Sequence, residues 1–172
     1  IVSRVYNNYQ AELKRMSGLD FDDLIVLTVK IFKQNPEILE KYQNFWKYIL
    51  VDEYQDTSHD QYTLVNLLSA KNKNIFAIGD DAQSIYAFRD ADIRNILNFQ
   101  KDYPDAKIIF LEQNYRSTKT ILAAAQNIIS NNQTQVPKEL WTENIKGEKI
   151  HVKETLNERV EAEFITDKID EL

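Results

Sequence analysis

A short apolar run, Tyr48-Ile49-Leu50-Val51, ends in two acids, Asp52 and Glu53. Carboxylates delivered at the C-terminal edge of a strand lie where open α/β sheets bind ligands. In nucleotide hydrolysis a first acid there holds Mg²⁺ through its water shell, and a second orients or deprotonates the attacking water. Strands also end in acids simply to cap the next turn or helix, so the pair alone leaves both readings open. Tyr54-Gln55-Asp56-Thr57 follows, adding a third acid and more polar density than a turn requires. For Gln55 and Thr57 a solvated loop is the alternative.

A second apolar run, Ile75-Phe76-Ala77-Ile78, leaves through Gly79 into Asp80-Asp81-Ala82-Gln83-Ser84-Ile85-Tyr86-Ala87-Phe88-Arg89. Glycine permits a sharp exit. Gln83 is a neutral donor and acceptor able to sense a phosphate. Tyr86, Phe88 and Arg89 bring aromatic rings and a guanidinium together; rings stack on bases and arginine reads phosphate. Core packing is the competing role, favoured for Ile85 and weighed for Tyr86. A third run ends at Leu111-Glu112-Gln113-Asn114-Tyr115-Arg116-Ser117. Arg116 precedes an expected helix N-terminus, where anions are favoured. It can reach a transferring phosphate as a finger, or form an ordinary surface salt bridge.

The elements that must position these residues follow from period and caps. Asp20 with Asp23 reads as an N-cap and its N3 partner, ahead of Phe21, Leu24, Ile25, Ile31 and Phe32 at helical spacing. Asn35-Pro36-Glu37 reads as a second start, with a cap, a first-turn proline and an acid against the dipole, for a helix to about Trp46. The continuous apolarity of 48–51 predicts a strand buried on both faces. Ser58 and Gln61 form a capping-box pattern before Leu64, Val65, Leu67 and Leu68. The separation of the first two apolar runs suits a helical crossover between parallel strands. A helix is expected from Asp92 to Gln100, a third strand from Lys107 to Leu111, and a helix from Ser117 to about Ser130. The stretch from Asn131 to Lys138 reads as a polar loop. Ile150, Val152 and Leu156 suggest a last strand, and Asn157 caps a final helix to Leu172. Alternating strands and helices indicate an α/β layered fold, with its lobe boundary between Asp102 and Lys107.

The bulk numbers limit the function classes. The chain has 172 residues, 43% hydrophobic and 28% charged, the proportions of an ordinary globular protein. No run approaches the 18 or so uncharged apolar residues that a membrane-spanning helix needs. With no cysteine, thiolate metal sites and disulfides are out, and a reducing cytosol is compatible. His59 and His151 have no partner pattern for a metal and read as surface residues. The net charge of −6 argues against a domain that grips DNA by bulk electrostatics, though not against contact through a few rings and arginines.

Together, Asp52-Glu53-Tyr54-Gln55-Asp56-Thr57-Ser58, the run Gly79 to Asp92, and Gln113-Asn114-Tyr115-Arg116-Ser117 resemble three ordered motifs of the UvrD/PcrA/Rep family of superfamily 1 DNA helicases. Asp20-Phe21-Asp22-Asp23-Leu24 matches an upstream segment of the same family, so the resemblance covers nearly the whole chain. It implies a RecA-like, P-loop NTPase-type parallel sheet with flanking helices, incomplete here. Residues 1–106 would be the C-terminal part of a first RecA-like lobe, with the tail of a helical insert at the start, and 107–172 the opening of a second lobe. It implies ATP and Mg²⁺ as cofactors, single-stranded and duplex DNA as partners, 3′→5′ movement and a cytoplasmic location. Asp52 would be the Mg²⁺-associated acid and Glu53 the catalytic base. Gln83 would couple the γ-phosphate to DNA movement. Tyr86, Phe88 and Arg89 would contact the single strand. Tyr115 would stack on adenine, and Arg116 would reach the γ-phosphate across the cleft.

The sequence departs from the family pattern at Ala82, where an acid is common, and at Asp90, where glycine is common; both are expected to be tolerated. Phe88 stands where tryptophan is frequent and offers a smaller stacking face. A phosphate loop needs G-x-x-x-x-G-K-[ST], and none of Gly18, Gly79 and Gly147 precedes a lysine. The chain, which starts at Ile1 rather than Met, is therefore expected to be an internal segment that does not hydrolyse ATP by itself. The motor part of a helicase–nuclease and a non-catalytic binding lobe are the alternatives; the intact Asp52, Glu53, Gln83 and Arg116 set speaks against the second.

Overall fold

A computed structural model describes residues 1–172. The chain forms two compact units: Ile1–Ile108 with Thr134–Val136, and Ile109–Gln133 with Pro137–Leu172.

The first unit begins with α1 (Val2–Arg15), whose last turn carries Lys14 and Arg15 against the helix dipole. Helix α2 (Phe21–Gln34) starts at the expected capping box: Asp23 N donates to Asp20 Oδ1 at 2.8 Å and Asp20 N to Asp23 Oδ2 at 3.3 Å. Helix α3 (Pro36–Phe45) has proline in its first turn. Asn35 does not cap α3 through its side chain; its Nδ2 turns back to the Ile31 carbonyl at 2.9 Å and closes α2 instead. With a proline next in the chain, the open carbonyls of α2 are the nearer unsatisfied groups.

Strand β1 (Ile49–Val51) pairs in parallel with β2 (Ile75–Ala77), in the register Ile49–Ile75, Leu50–Phe76 and Val51–Ala77. Between them runs α4 (His59–Ser69), the crossover that a parallel pair requires. Its start is the expected box: Ser58 N donates to Gln61 Oε1 and Gln61 N to Ser58 Oγ. Helices α2, α3 and α4 pack together, with Val29 and Phe32 buried and Tyr42 set between the Phe32 and Trp46 rings.

The sheet is not buried on both faces. Leu50 is 72% and Phe76 58% exposed, while Ile49, Val51, Ile75 and Ala77 on the opposite face are half-buried. Side chains alternate across a strand, and only one face of this two-stranded sheet carries a helical layer.

Beyond β2 the expected single helix is broken at Asn98 into α5 (Arg94–Leu97) and α6 (Phe99–Asp102). Phe99 meets the fully buried Tyr54 ring edge-on at 5.4 Å. Burial pushes the Tyr54 phenol far above its usual range, and its hydroxyl has no partner. Tyr62 donates to Asp102 Oδ2 at 2.8 Å, and Asn95 Nδ2 to the Thr57 carbonyl at 2.9 Å; these bonds fasten α5 and α6 to the rest of the unit.

Lys107 to Leu111, where the first unit gives way to the second, does not form the expected strand. A strand exists only through its ladder, and the first pairing downstream is an isolated parallel bridge between Gln113 and Trp141. The side chains of Ile108 to Leu111 are exposed accordingly. Ile150, Val152 and Leu156 likewise form no strand. Helix α7 (Lys119–Ile129) has its first N–H groups met by the carbonyls of Ile145 and Lys146, each at 3.1 Å. Gly147, at φ +75°, turns the chain there; an added Cβ would lie 2.6 Å from Thr118. Helix α8 (Glu158–Asp170) is capped as expected, with Asn157 Oδ1 accepting from Arg159 N and Val160 N, each at 3.1 Å.

Candidate functional site

The C-terminal ends of β1 and β2 build the acid cluster. The β1 backbone leaves the ladder into Asp52 and Glu53, both exposed. Asp52 Oδ1 accepts from Glu53 N at 2.9 Å. Glu53 lies in the left-handed region, at φ 49° and ψ 45°, a conformation that costs a non-glycine residue about 1–2 kcal/mol. It holds because the next amide is committed: Tyr54 N donates to the Ile78 carbonyl at 2.9 Å, and Asp56 N donates to Glu53 O at 2.9 Å to close a 3₁₀ turn over Tyr54–Asp56.

Gln55 and Thr57 are not solvated loop residues. They are 1% and 8% exposed. Gln55 Nε2 donates to Glu53 Oε2 at 2.7 Å and to Asp56 Oδ2 at 3.1 Å, while its Oε1 accepts from Asp80 N at 3.0 Å. These neighbours fix the amide orientation, because only the NH₂ end can face carboxylates and only the oxygen can face an N–H. Hydrogen bonds to charged groups are worth about 1.5–3 kcal/mol each, enough to offset the strain at Glu53. The sequence marks Gln55 only by its place among three acids.

The exit of β2 meets this cluster. Gly79 gives Gln55 room: a Cβ there would lie 2.7 Å from Gln55 Oε1 and 2.7 Å from Ile96 Cδ1. Asp80 Oδ1 accepts from Ala82 N at 3.0 Å, capping a 3₁₀ turn over Asp81–Gln83. Gln83, itself exposed, donates from Nε2 to Asp80 Oδ2 at 2.8 Å. Ser84 Oγ donates to the Gln55 carbonyl at 3.3 Å, and Val136 N donates to Asp81 Oδ2 at 2.8 Å. Asp52, Glu53 and Gln83 therefore share one sheet edge. Mg²⁺ characteristically takes one or two carboxylates, phosphate oxygens and water. The exposed Asp52 carboxylate fits that role, and no group of three or more His, Cys, Asp or Glu side chains is arranged to hold a metal unaided.

Next along the chain is an aromatic platform. The Tyr86 and Phe88 rings are 5.9 Å apart, and the Arg89 guanidinium lies 5.4 Å and 5.5 Å from their centres. Phe88 is 77% exposed and Tyr86 40%. Ile85, expected in the core, is 69% exposed; it sits on the link between two 3₁₀ turns with no apolar layer above it. Asp90 takes φ +68°, the conformation for which glycine is the usual choice and which aspartate tolerates. Behind the platform Ser58 bridges Ala91. Arg94 then grips Asp92 through Nε and Nη2, and this bond holds the Asp92 carboxyl below its usual range.

In the second unit, Asn114 Oδ1 accepts from Arg116 N at 3.0 Å and Ser117 N at 2.7 Å. Asn144 Nδ2 donates to the Tyr115 and Ser117 carbonyls at 3.2 and 3.1 Å. The turn is thus held from both sides, and it presents Tyr115 and Arg116 to solvent. Tyr115 donates to Gln113 Oε1 at 2.8 Å. Neither Asn114 nor Asn144 was singled out in the sequence; the Asn114–Ser117 spacing is the signal of an Asx turn.

Known proteins match nearly the whole of this chain. The model of the UvrD/REP helicase N-terminal domain matches residues 1–104, and that of the UvrD-like helicase C-terminal domain residues 109–172. The ATP-dependent DNA helicase PcrA of Staphylococcus aureus is 59% identical over 169 residues, which is 98% of this chain and 23% of that protein. PcrA of Staphylococcus epidermidis is 56% identical over the same shares. The chain thus spans about a quarter of the length of these relatives. With a helicase domain matched on either side of residue 106 and the acid cluster at the edge of a parallel pair, the chain belongs to the UvrD/REP helicase family.

Proposed function

We propose that this chain is the segment of a 3′→5′ ATP-dependent DNA helicase that carries its metal acid, catalytic base, coupling glutamine and strand-stacking platform. Residues 1–106 form the C-terminal part of a first RecA-like lobe, and 107–172 open a second. Asp52 would hold the Mg²⁺ of a Mg²⁺–ATP complex, where the ion would supply charge neutralisation on the phosphates. Glu53 orients and deprotonates the attacking water. Gln83 senses the γ-phosphate and Arg116 stabilises the charge on the transferring group. Tyr115 stacks on adenine. Tyr86 and Phe88 stack on the bases of a single strand, and Arg89 reads its phosphate.

The observation that carries this reading is the meeting of Asp52, Glu53 and Gln83 at one edge of the β1–β2 pair, with Glu53 and Gln83 bonded through Gln55 and Asp80. The base and the phosphate sensor of a nucleotide motor must sit within reach of one phosphate. The relatives' printed function and the platform, three to six residues along the chain beyond Gln83, agree with it. The test is unwinding by the full-length protein of duplexes with a 3′ or a 5′ single-stranded tail. ATP-dependent unwinding of the 3′-tailed duplex alone is expected. Unwinding from the 5′ tail overturns the polarity, and no ATP-dependent unwinding of either overturns the helicase reading.

A further inference from the structure

We infer that Gln55 is a positioning residue that ties the base to the phosphate-sensing glutamine, so that Glu53 and Gln83 move as one unit. The inference rests on the reading of Glu53 and Gln83 given above and assigns a role to a residue that touches neither nucleotide nor DNA.

An unbroken chain of hydrogen bonds links the two side chains. Glu53 Oε2 accepts from Gln55 Nε2 at 2.7 Å, Gln55 Oε1 accepts from Asp80 N at 3.0 Å, and Asp80 Oδ2 accepts from Gln83 Nε2 at 2.8 Å. Its two ends are exposed and its middle is fixed, with Gln55 99% buried. A glutamine is the side chain that suits the middle. It must donate to carboxylates at one end and accept a backbone N–H at the other, which neither glutamate nor an apolar residue can do. The Gln55 main chain joins in through Ser84 Oγ, one residue past Gln83. Gly79 keeps the seat open, since any Cβ there would strike the Gln55 amide oxygen.

The consequence is mechanical. When Gln83 shifts on losing or gaining a phosphate contact, Asp80 transmits the shift to Gln55, whose amide holds the Glu53 carboxylate. Because Gln83 and the Tyr86–Arg89 platform leave the same strand, DNA on the platform can bias the base through this route. Gln55 thereby affects turnover and its stimulation by DNA, not the binding of nucleotide.

The test uses the full-length protein, steady-state ATP hydrolysis with and without single-stranded DNA, and thermal melting to establish folding. Gln55→Met, which keeps the volume and removes both polar ends, is expected to lower the DNA-stimulated kcat roughly 10- to 100-fold, as for a misplaced catalytic group, with the KM for ATP within about twofold. Asp80→Ala keeps the backbone N–H to Gln55 and removes the last link together with the cap on Ala82 N, so it should lower kcat in the same sense. In combination with Gln83→Ala, each should cost less than the product of the single effects. Glu53→Gln is the control for the reading beneath. If it leaves turnover intact, that reading fails. If it abolishes turnover while folded Gln55→Met has wild-type kcat, or a raised KM with unchanged kcat, the role of Gln55 is overturned. Should Gln55→Met not fold, Asp80→Ala decides: unchanged kcat, or full multiplicativity with Gln83→Ala, refutes the link.

Discussion

Replacing Phe88 with alanine isolates the strand-stacking platform from everything else in the chain. The ring is 77% exposed and contacts mainly Tyr86 and Arg89. Its loss should therefore change stability by no more than about 0.5 kcal/mol. The effect on single-stranded DNA is much larger. A base stacked on an aromatic ring contributes about 1–3 kcal/mol, which corresponds to about 5- to 150-fold in Kd. The change also removes one of the two ring faces that hold Arg89, each worth about 0.5–1 kcal/mol at an exposed site. Tyr86 remains 5.9 Å away with its own hold on Arg89, so part of the platform survives. The expected loss for the single change is therefore in the lower half of that range, and Phe88→Trp should tighten binding by enlarging the stacking face. Fluorescence anisotropy of a labelled oligonucleotide with the full-length protein, at several salt concentrations, measures this. Phe88→Ala should leave the salt dependence unchanged, whereas Arg89→Ala should reduce its slope by about 0.7, the share of one phosphate contact on a single strand. A Phe88→Ala affinity within twofold of wild type would refute the stacking role.

Three other consequences are open to measurement. Gly79→Ala forces the Gln55 amide and Ile96 aside from 2.7 Å contacts, and overpacking of this kind costs about 1–3 kcal/mol, read by denaturant or thermal unfolding; an unchanged midpoint would show that the Gln55 seat is not tight. The Asp92 carboxyl is lowered by the Arg94 bond. A lowered folded value means that its stabilisation is present above the ordinary aspartate range and is lost as pH falls through the folded value. Asp92→Asn should accordingly reduce stability at neutral pH by less than about 1 kcal/mol, as for an exposed pair, and flatten the acid limb of the stability–pH curve. Finally, the 172-residue chain alone should show no DNA-stimulated ATP hydrolysis, since it contains no G-x-x-x-x-G-K-[ST] loop to cradle the phosphates; turnover by the purified chain would contradict this.

What could be read from the sequence was whatever depends on neighbours along the chain. The boxes at Asp20–Asp23 and Ser58–Gln61 and the Asn157 cap are contacts over three residues, and the structure forms each one. The parallel pair and its crossover helix followed from two apolar runs with a helical stripe between them. The failures are contacts that chain distance hides. Lys107 to Leu111 and Ile150 to Leu156 have strand composition but no ladder partner, and composition does not supply one. Leu50 and Phe76 belong to apolar runs, yet stand on a face with no layer over it. Asn35 has the residue type of a cap for the helix after it and serves the helix before it. For Gln55 the sequence leaves the solvated loop open as an alternative, because the amide that donates to its oxygen, Asp80 N, lies 25 residues on. Ile85 is apolar but exposed, because 3₁₀ turns on either side hold it outward.

The role given to the acid pair stands or falls on Glu53→Gln in the full-length protein, measured as ATP turnover on single-stranded DNA beside the affinity for a fluorescent ATP analogue. The change is isosteric, and the exposed side chain leaves the fold intact. Turnover should fall by orders of magnitude while nucleotide affinity stays within a few-fold, as expected when a group acts in the transition state and not in binding. Turnover close to wild type, or a loss explained by weakened nucleotide binding, would show that Glu53 is not the base.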